Sequence, residues 1–366
     1  MALPNSLEPA TDYVVLEDGR RVFLLELLGK GQISSVYRGA VDAPSGVRRA
    51  VAMKLFHDVA SEEAEHVASV VRRAVRRTAC IRHPNVVSVE DFGVTGGYPF
   101  VVQELVDGVT LEALMERYAA RAQRMPLDLA LFIATEMAEG LSGARTAGDH
   151  AGFQLGVLHL ALSPREVLLS FRGEVKVVDF ELSRAQGATS SVRSIRAVAT
   201  RARTMAPEVA QGEDGDARSD VFSLGVIIRE LLVGPRFPAG ASDADLIRLA
   251  QEGHIEPISF SPHLPAALLP VLSRALEVDP YRRFPNATAM VYELRRIVFG
   301  MGVGDGRWFL RRSLDHEWGN DALEATGEQH VPPGSTPSMR IWAGPSIGDE
   351  LHLGALEGDW TDDDEL

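Results

Sequence analysis

Two glycines, a lysine and an aspartate set the first chemical expectation. In LLGKGQISSVYRG, Gly29 and Gly31 fall in a turn between two apolar runs, where the missing side chain lets backbone amides approach phosphate oxygens closely. Lys54, in VAMK, lies 23 residues beyond Gly31, a spacing that brings an ammonium from a third strand under that turn. The basic residues are nearly all arginine, with lysine only at positions 30, 54 and 176, so Lys54 marks a place where an ammonium was kept. Asp179, in GEVKVVDFELSR, is a carboxylate that could hold a cation beside phosphates.

Those groups need a sheet to hold them. Apolar alternation over residues 22–56 and again over 86–105 reads as strands, with a helical stretch from about Ser61 to Cys80 between them. From Pro126 the apolar spacing becomes helical, in LDLALFIATEMAEGLSGA, SDVFSLGVIIRELLVG and AALLPVLSRALEV. A small sheet lobe followed by a larger helical lobe is the expected α+β architecture.

The ordered series LLGKGQ, VAMK, HPNVV, VVQELVDGVTL, GVLHLALSPREVLL, VVDFELSR, MAPE, SDVFSLGV and DPYRRF resembles the bacterial Hanks-type Ser/Thr protein kinases over about residues 20–298. The resemblance implies a bilobal fold: a lead-in at 1–19, a five-stranded antiparallel sheet with one helix at 20–105, and a helical lobe at 106–299. It also implies ATP and Mg2+ as ligands. Glu104 and Val106 would offer backbone groups to adenine, Val36, Ala52 and Leu168 would enclose the base, and Gln103 would stand behind the pocket. Asp179, with Glu166, would face magnesium. His159, Phe180, Glu208, Asp220 and Arg283 match scaffold positions, Glu208 pairing with Arg283 and Asp220 holding the catalytic-loop backbone.

Against that pattern, four positions depart. Ala161 stands where the family's catalytic carboxylate accepts the substrate proton, and an alanine can neither orient nor accept one. Glu166 replaces the metal-binding asparagine, a change left open because a carboxylate also coordinates magnesium. Counting back from His83, the helix acid that would aim Lys54 falls on Ala74, and neither Glu63 nor Glu65 lies at the right face and height of the helix to replace it. Glu181 occupies the place of the glycine that gives the Asp-Phe-Gly loop its freedom. Ser163 replaces a lysine whose role Arg201 could take. The resemblance therefore implies a pseudokinase, a signalling scaffold or allosteric regulator acting through protein binding, either ATP-responsive or constitutive. Two alternatives stay open: a weakly active Ser/Thr kinase or other ATP-dependent transferase, and an adaptor that binds no nucleotide.

A net charge of −14 argues against a sequence-independent grip on nucleic acid or an anionic membrane. The N-terminus MALPNSLEPATDY has no charged or apolar leader, and no stretch is apolar enough to span a bilayer, so a cytoplasmic location is expected. Cys80 is the sole cysteine, which precludes an internal disulfide. Residues 300–366 read as an acidic, largely flexible tail that holds all four tryptophans. Of these, Trp342 and Trp360 are candidate anchors for a partner, a signalling protein such as an active kinase. Deleting the chain from about residue 303 is expected to leave the lobes folded. Thr189, Ser190, Ser191 and Ser194 are candidate phosphorylation sites, although Leu160 replaces the arginine that would receive the phosphate.

Overall fold

The computed structural model describes residues 13–31, 34–42, 47–57, 64–182, 195–257 and 264–319. Alternation of apolar residues builds the first lobe from β1 (Tyr13–Val15), β2 (Arg21–Lys30), β3 (Ser34–Asp42), β4 (Arg48–Phe56), β5 (Val89–Thr95) and β6 (Tyr98–Glu104). All neighbours are antiparallel, in the order β1-β2-β3-β4-β6-β5, and α1 (Ala64–Thr78) connects β4 to β5. The sheet therefore has six strands rather than the expected five. The extra one comes from the lead-in at 1–19, where Val14 pairs with Val22. With three residues and one buried side chain, β1 is too short to show a period. Arg20 meets Asp91 at 2.8 Å, drawing the start of β2 toward β5 and curling the sheet around Leu24, Tyr37, Met53 and Phe100.

The second lobe runs through β7 (Gly108–Thr110), α2 (Leu111–Ala120), α3 (Leu127–Thr146), β8 (Val167–Ser170) and β9 (Val175–Val177). It continues through α4 (Ile195–Ala202), α5 (Pro207–Ala210), α6 (Ala217–Leu232), α7 (Asp243–Gln251), α8 (Leu268–Ala275) and α9 (Ala287–Met301). The central helices α3 and α6 are apolar around most of their circumference because both are enclosed by neighbours. On α3, Gly140 is needed where a Cβ would lie 2.7 Å from the Asn85 carbonyl oxygen. Asp216 caps α6 by accepting from Arg218 N–H, while the Ser219 hydroxyl oxygen accepts from the Asp216 amide, which fixes where the helix starts.

The boundary expected at residue 300 is corrected by α10 (Gly306–Trp318), which packs on α3. Gly302, at φ +65°, turns the chain at the end of α9, and Asp305 caps the next helix by accepting from the amides of Arg307 and Trp308. Leu310 and Leu314 are fully buried in the core of the second lobe. Tyr118 and Ser313 share a hydrogen bond of 3.0 Å, Arg121 pairs with Glu317, and the Arg117 guanidinium lies 4.2 Å over the Trp318 ring. The expectations for Trp342, Trp360, Thr189, Ser190, Ser191 and Ser194 lie outside the described residues. Among the described residues no helix is long and apolar enough to cross a membrane.

Candidate nucleotide site

The cleft between the lobes is assembled from the turn joining β2 and β3, from β4, from the β6–β7 connection and from the segment after β9. Gly29 pairs with Val36, and Val36 in turn with Lys54, so Val36 and Lys54 share one face of the sheet. Lys30 pairs with Ser35 and belongs to the other face. At the turn, Gly31 N–H donates to the Ser34 carbonyl at 2.7 Å, and a Cβ on Gly31 would sit 3.1 Å from that oxygen. Ala52 and Gln103 are cross-strand neighbours and both are buried; Gln103 also lines a small cavity with Val75, Thr78, Val86, Val178 and Phe180. Leu168, on β8, pairs with Lys176 of β9.

Lys176 ties the second lobe to the linker. Its ammonium reaches the Glu104 carboxylate at 2.9 and 3.2 Å, and the Glu104 amide donates to the Ser88 carbonyl at 2.9 Å. The Glu104 side chain is thus engaged in holding the linker, while Val106, half-buried, follows β6. Sequence reasoning gives Glu104 a role and marks Lys176 only as one of three lysines in an arginine-rich chain; its partner emerges from the fold.

Lys54 is buried, and its ammonium pairs with Asp179. Among the described residues no helix acid takes part: Ala74 is buried in an apolar cluster with Val71, Phe92, Val101 and Leu182. Asp179 at φ +69° and Glu181 at φ +59° both sit in the left-handed region, where a side chain costs roughly 1–2 kcal/mol per residue. Between them Phe180 is buried against the His159 ring, with centroids 4.8 Å apart. The Glu181 carboxylate lies 3.0 Å from Arg77 Nε of α1, an ion pair in which the Nε–H is not aimed to hydrogen-bond the carboxylate.

Below this segment the catalytic loop is held from beneath. Asp220 accepts from the His159 and Leu160 amides at 2.8 and 2.6 Å, which fixes Leu160 at φ +62°. Burial raises the Asp220 carboxyl to about 6, against the lowering effect of those two bonds. His159 Nε2 donates to the Val178 carbonyl at 2.9 Å, and complete burial lowers the ring to about 4. Ala161 presents no titratable group. Ser163 donates its N–H and its hydroxyl to Glu166 at 3.0 and 2.5 Å. Burial, with Asp179 nearby, pushes the Glu166 carboxyl up to about 7 despite the hydroxyl bond. Arg201, on α4, is half-buried, and among the described residues no hydrogen bond or ion pair joins it to Ser163.

The remaining scaffold positions meet in the second lobe. Arg283 is buried and makes two bonds of 2.8 Å to Glu208, which also accepts from the Ser219 hydroxyl at 2.7 Å. Burial raises the Glu208 carboxyl, but these bonds outweigh it and hold it below the usual range. Arg236, unnoticed in the sequence, is fully buried between the Phe222 and Phe237 rings. Its guanidinium donates to the Met205 and His254 carbonyls at 2.8 and 3.0 Å, anchoring the strip that leads into Glu208. Burial lowers it to about 9.

Magnesium, which the resemblance implies, finds hard oxygen donors here. Asp179 Oδ1 is buried without a hydrogen-bond partner among the described residues, and the Glu166 carboxyl is close enough for the two charges to be felt. Two carboxylates plus nucleotide phosphates is an ordinary magnesium donor set. The residues present fit the ion, although each carboxylate already has one oxygen engaged, Asp179 by Lys54 and Glu166 by Ser163.

A curled antiparallel sheet lobe on a helical lobe, with this cleft between them, is the protein kinase fold. The kinase domain of Mycobacterium tuberculosis PknI has it, at a TM-score of 0.57 and 22% identity, over 81% of this chain and 100% of that one. Residues 22–294 match the family model for protein tyrosine and serine/threonine kinases, and the chain belongs to that family. Among curated relatives, it is 26% identical over 336 residues to the tyrosine-protein kinase MasK of Myxococcus xanthus, covering 91% of this chain and 51% of that protein. It is 33% identical to the serine/threonine-protein kinase PksC of Streptomyces coelicolor, covering 76% of this chain and 49% of that protein, and 30% identical to PknB of Mycobacterium leprae, covering 76% and 43%. The chain thus spans about half the length of these relatives or less.

Proposed function

We propose that this chain is a pseudokinase: it binds ATP in the cleft and acts through its folded surfaces, as a scaffold or allosteric regulator of signalling proteins such as an active kinase, with phosphoryl transfer lost or very slow. The single observation that carries this reading is Ala161. A positioned general base contributes about 100- to 10,000-fold in rate, and kinases turn over at roughly 1–100 per second. With a methyl group in that place, turnover would fall to somewhere between about one per second and about one per three hours. The intact scaffold around the same loop supports selection for shape: Asp220 still grips the backbone next to a base that is absent.

The test is a melting titration with ATP and with ATP plus Mg2+, run beside a phosphoryl-transfer assay on generic peptide and on the chain itself. The reading expects ATP to raise the melting temperature, a shift that Lys54→Ala abolishes, with transfer near background. Turnover above about one per second would overturn it.

A second reading, a slow ATP-dependent transferase, has one observation in its favour: the buried Asp179 Oδ1, without a hydrogen-bond partner among the described residues, on a carboxylate whose charge helps raise Glu166. Mg2+ held there would neutralise phosphate charge. Magnesium-dependent transfer that Glu166→Gln and Asp179→Asn both remove would favour it over the scaffold.

A further inference from the structure

In this chain the Asp179-Phe180-Glu181 tripeptide is held at both ends by opposite charges, one from each wall of the first lobe. Lys54, from the sheet, takes Asp179; Arg77, from the last turn of α1, takes Glu181 at 3.0 Å. Arg77 lies three residues beyond Ala74 and therefore next to it on the same face of the helix. Its Nη2 also donates to the Leu155 carbonyl of the second lobe at 2.8 Å. Leu182 continues the contact by entering the apolar cluster of α1.

We propose that Arg77 and Glu181 are positioning residues that replace, with inverted charge, the missing link between helix and nucleotide site. Among the described residues no helix acid faces the strand lysine; a helix base facing an acid of the tripeptide stands one turn further on. The pair explains why a side chain persists at φ +59°, a conformation that glycine adopts without strain. Glu181 also has little freedom to leave, since its side chain is 12% exposed. By fixing Glu181, Arg77 sets the backbone of Asp179 two residues earlier, and hence the ion pair that would receive phosphates. The nucleotide arm of this inference rests on the proposed function; the clamp itself does not.

The experiment uses the full chain and the variants Glu181→Gly, Arg77→Ala, Arg77→Lys, Arg77→Glu, Glu181→Arg and the exchanged pair Arg77→Glu with Glu181→Arg, each melted with and without ATP. The sign for Glu181→Gly is the sharpest discriminator. If Glu181 only stores strain, glycine relieves it and the melting temperature rises; if the clamp holds α1, it falls by about 2 °C or more. The exchanged pair is expected to recover at least half of what Arg77→Glu alone loses, and Arg77→Lys to retain most of the ATP-induced shift that Arg77→Ala reduces. A rise with Glu181→Gly, or an exchanged pair no better than its single variants, overturns the clamp. Should the wild type show no ATP shift while the apo variants still couple, the nucleotide reading fails and the clamp stands. An unchanged ATP shift in Arg77→Ala, beside coupled apo melting, overturns the positioning role.

Discussion

The Lys54–Asp179 pair makes an asymmetric prediction about stability. Lys54 has 6% of its side chain exposed and pairs with Asp179, whereas Asp179 has 17% exposed. Replacing Asp179 by alanine strands a buried ammonium. Breaking a buried pair in this way typically costs about 3–5 kcal/mol, and partial rehydration through the cleft places the expected loss near ~3 kcal/mol. Replacing Lys54 by methionine removes the charge that is harder to hydrate and fills its space, so the loss is expected near ~1 kcal/mol. At about 1.5–2 °C per kcal/mol for a folded unit of this size, Asp179→Ala should melt roughly 5–6 °C below the wild type and Lys54→Met roughly 2 °C below. The double variant should lie closer to Lys54→Met than to the sum of both. Calorimetry of the apo protein at fixed salt reads all three. Equal losses, the reverse order, or simple additivity would refute the reasoning that burial of the ammonium dominates this site.

Three further outcomes follow from the geometry. Restoring the missing base with Ala161→Asp should raise phosphoryl transfer at least tenfold if Lys54 and Asp179 still orient ATP, measured as autophosphorylation or peptide phosphorylation; no change would mean that the geometry, as well as the base, is lost. Arg236→Met leaves several carbonyls without their donor, and is expected to cost about 2–4 kcal/mol and to accelerate hydrogen exchange across residues 202–206 more than elsewhere. For His159, burial lowers the ring from 6.5 to about 4, so its neutral form contributes stability that is complete above pH 6.5 and is lost as pH falls toward 4. Across that window it accounts for roughly 3 kcal/mol, and melting curves of His159→Phe against the wild type should converge by that amount between pH 7.5 and 4.5. Comparing the two proteins cancels the opposing slopes of Asp220 and Glu166, whose raised carboxyls gain protons over the same range.

The nucleotide end of the site was readable because its parts are tied to chain geometry. A glycine turn, a lysine two strands on and an Asp-Phe pair after a short hairpin have spacings set by strand length, and Ala161 and Ala74 could be counted from neighbours such as His83. What sequence reasoning missed depends on meetings between distant segments. Arg77 looks like one more exposed arginine in VVRRAVRRT, and only the fold reveals that Glu181 lies within its reach. Arg236 resembles a loop residue until α4, α6 and α7 close around it. Toward the ends of the described residues, β1 carries too few residues for a period, and α10 follows a glycine-rich turn and is interrupted by Arg307, Arg311 and Arg312, which dilutes its apolar signal, although Leu310 and Leu314 stand four residues apart on one face.

That last helix changes what counts as a portable unit. The family match ends at residue 294, yet Gly306 lies so close to Phe132 that a Cβ would meet the ring at 2.1 Å, and the two leucines fill a furrow along α3. A protein trimmed at the family boundary, or at residue 303 as the sequence suggested, would bare that furrow as an oily strip and leave Arg117 and Arg121 without their counterpart at Glu317. Such a fragment would be expected to clump during purification, and its stickiness would be mistaken for partner capture. Cloning, grafting or recombining this module with its fold intact calls for a cut no earlier than Gly319.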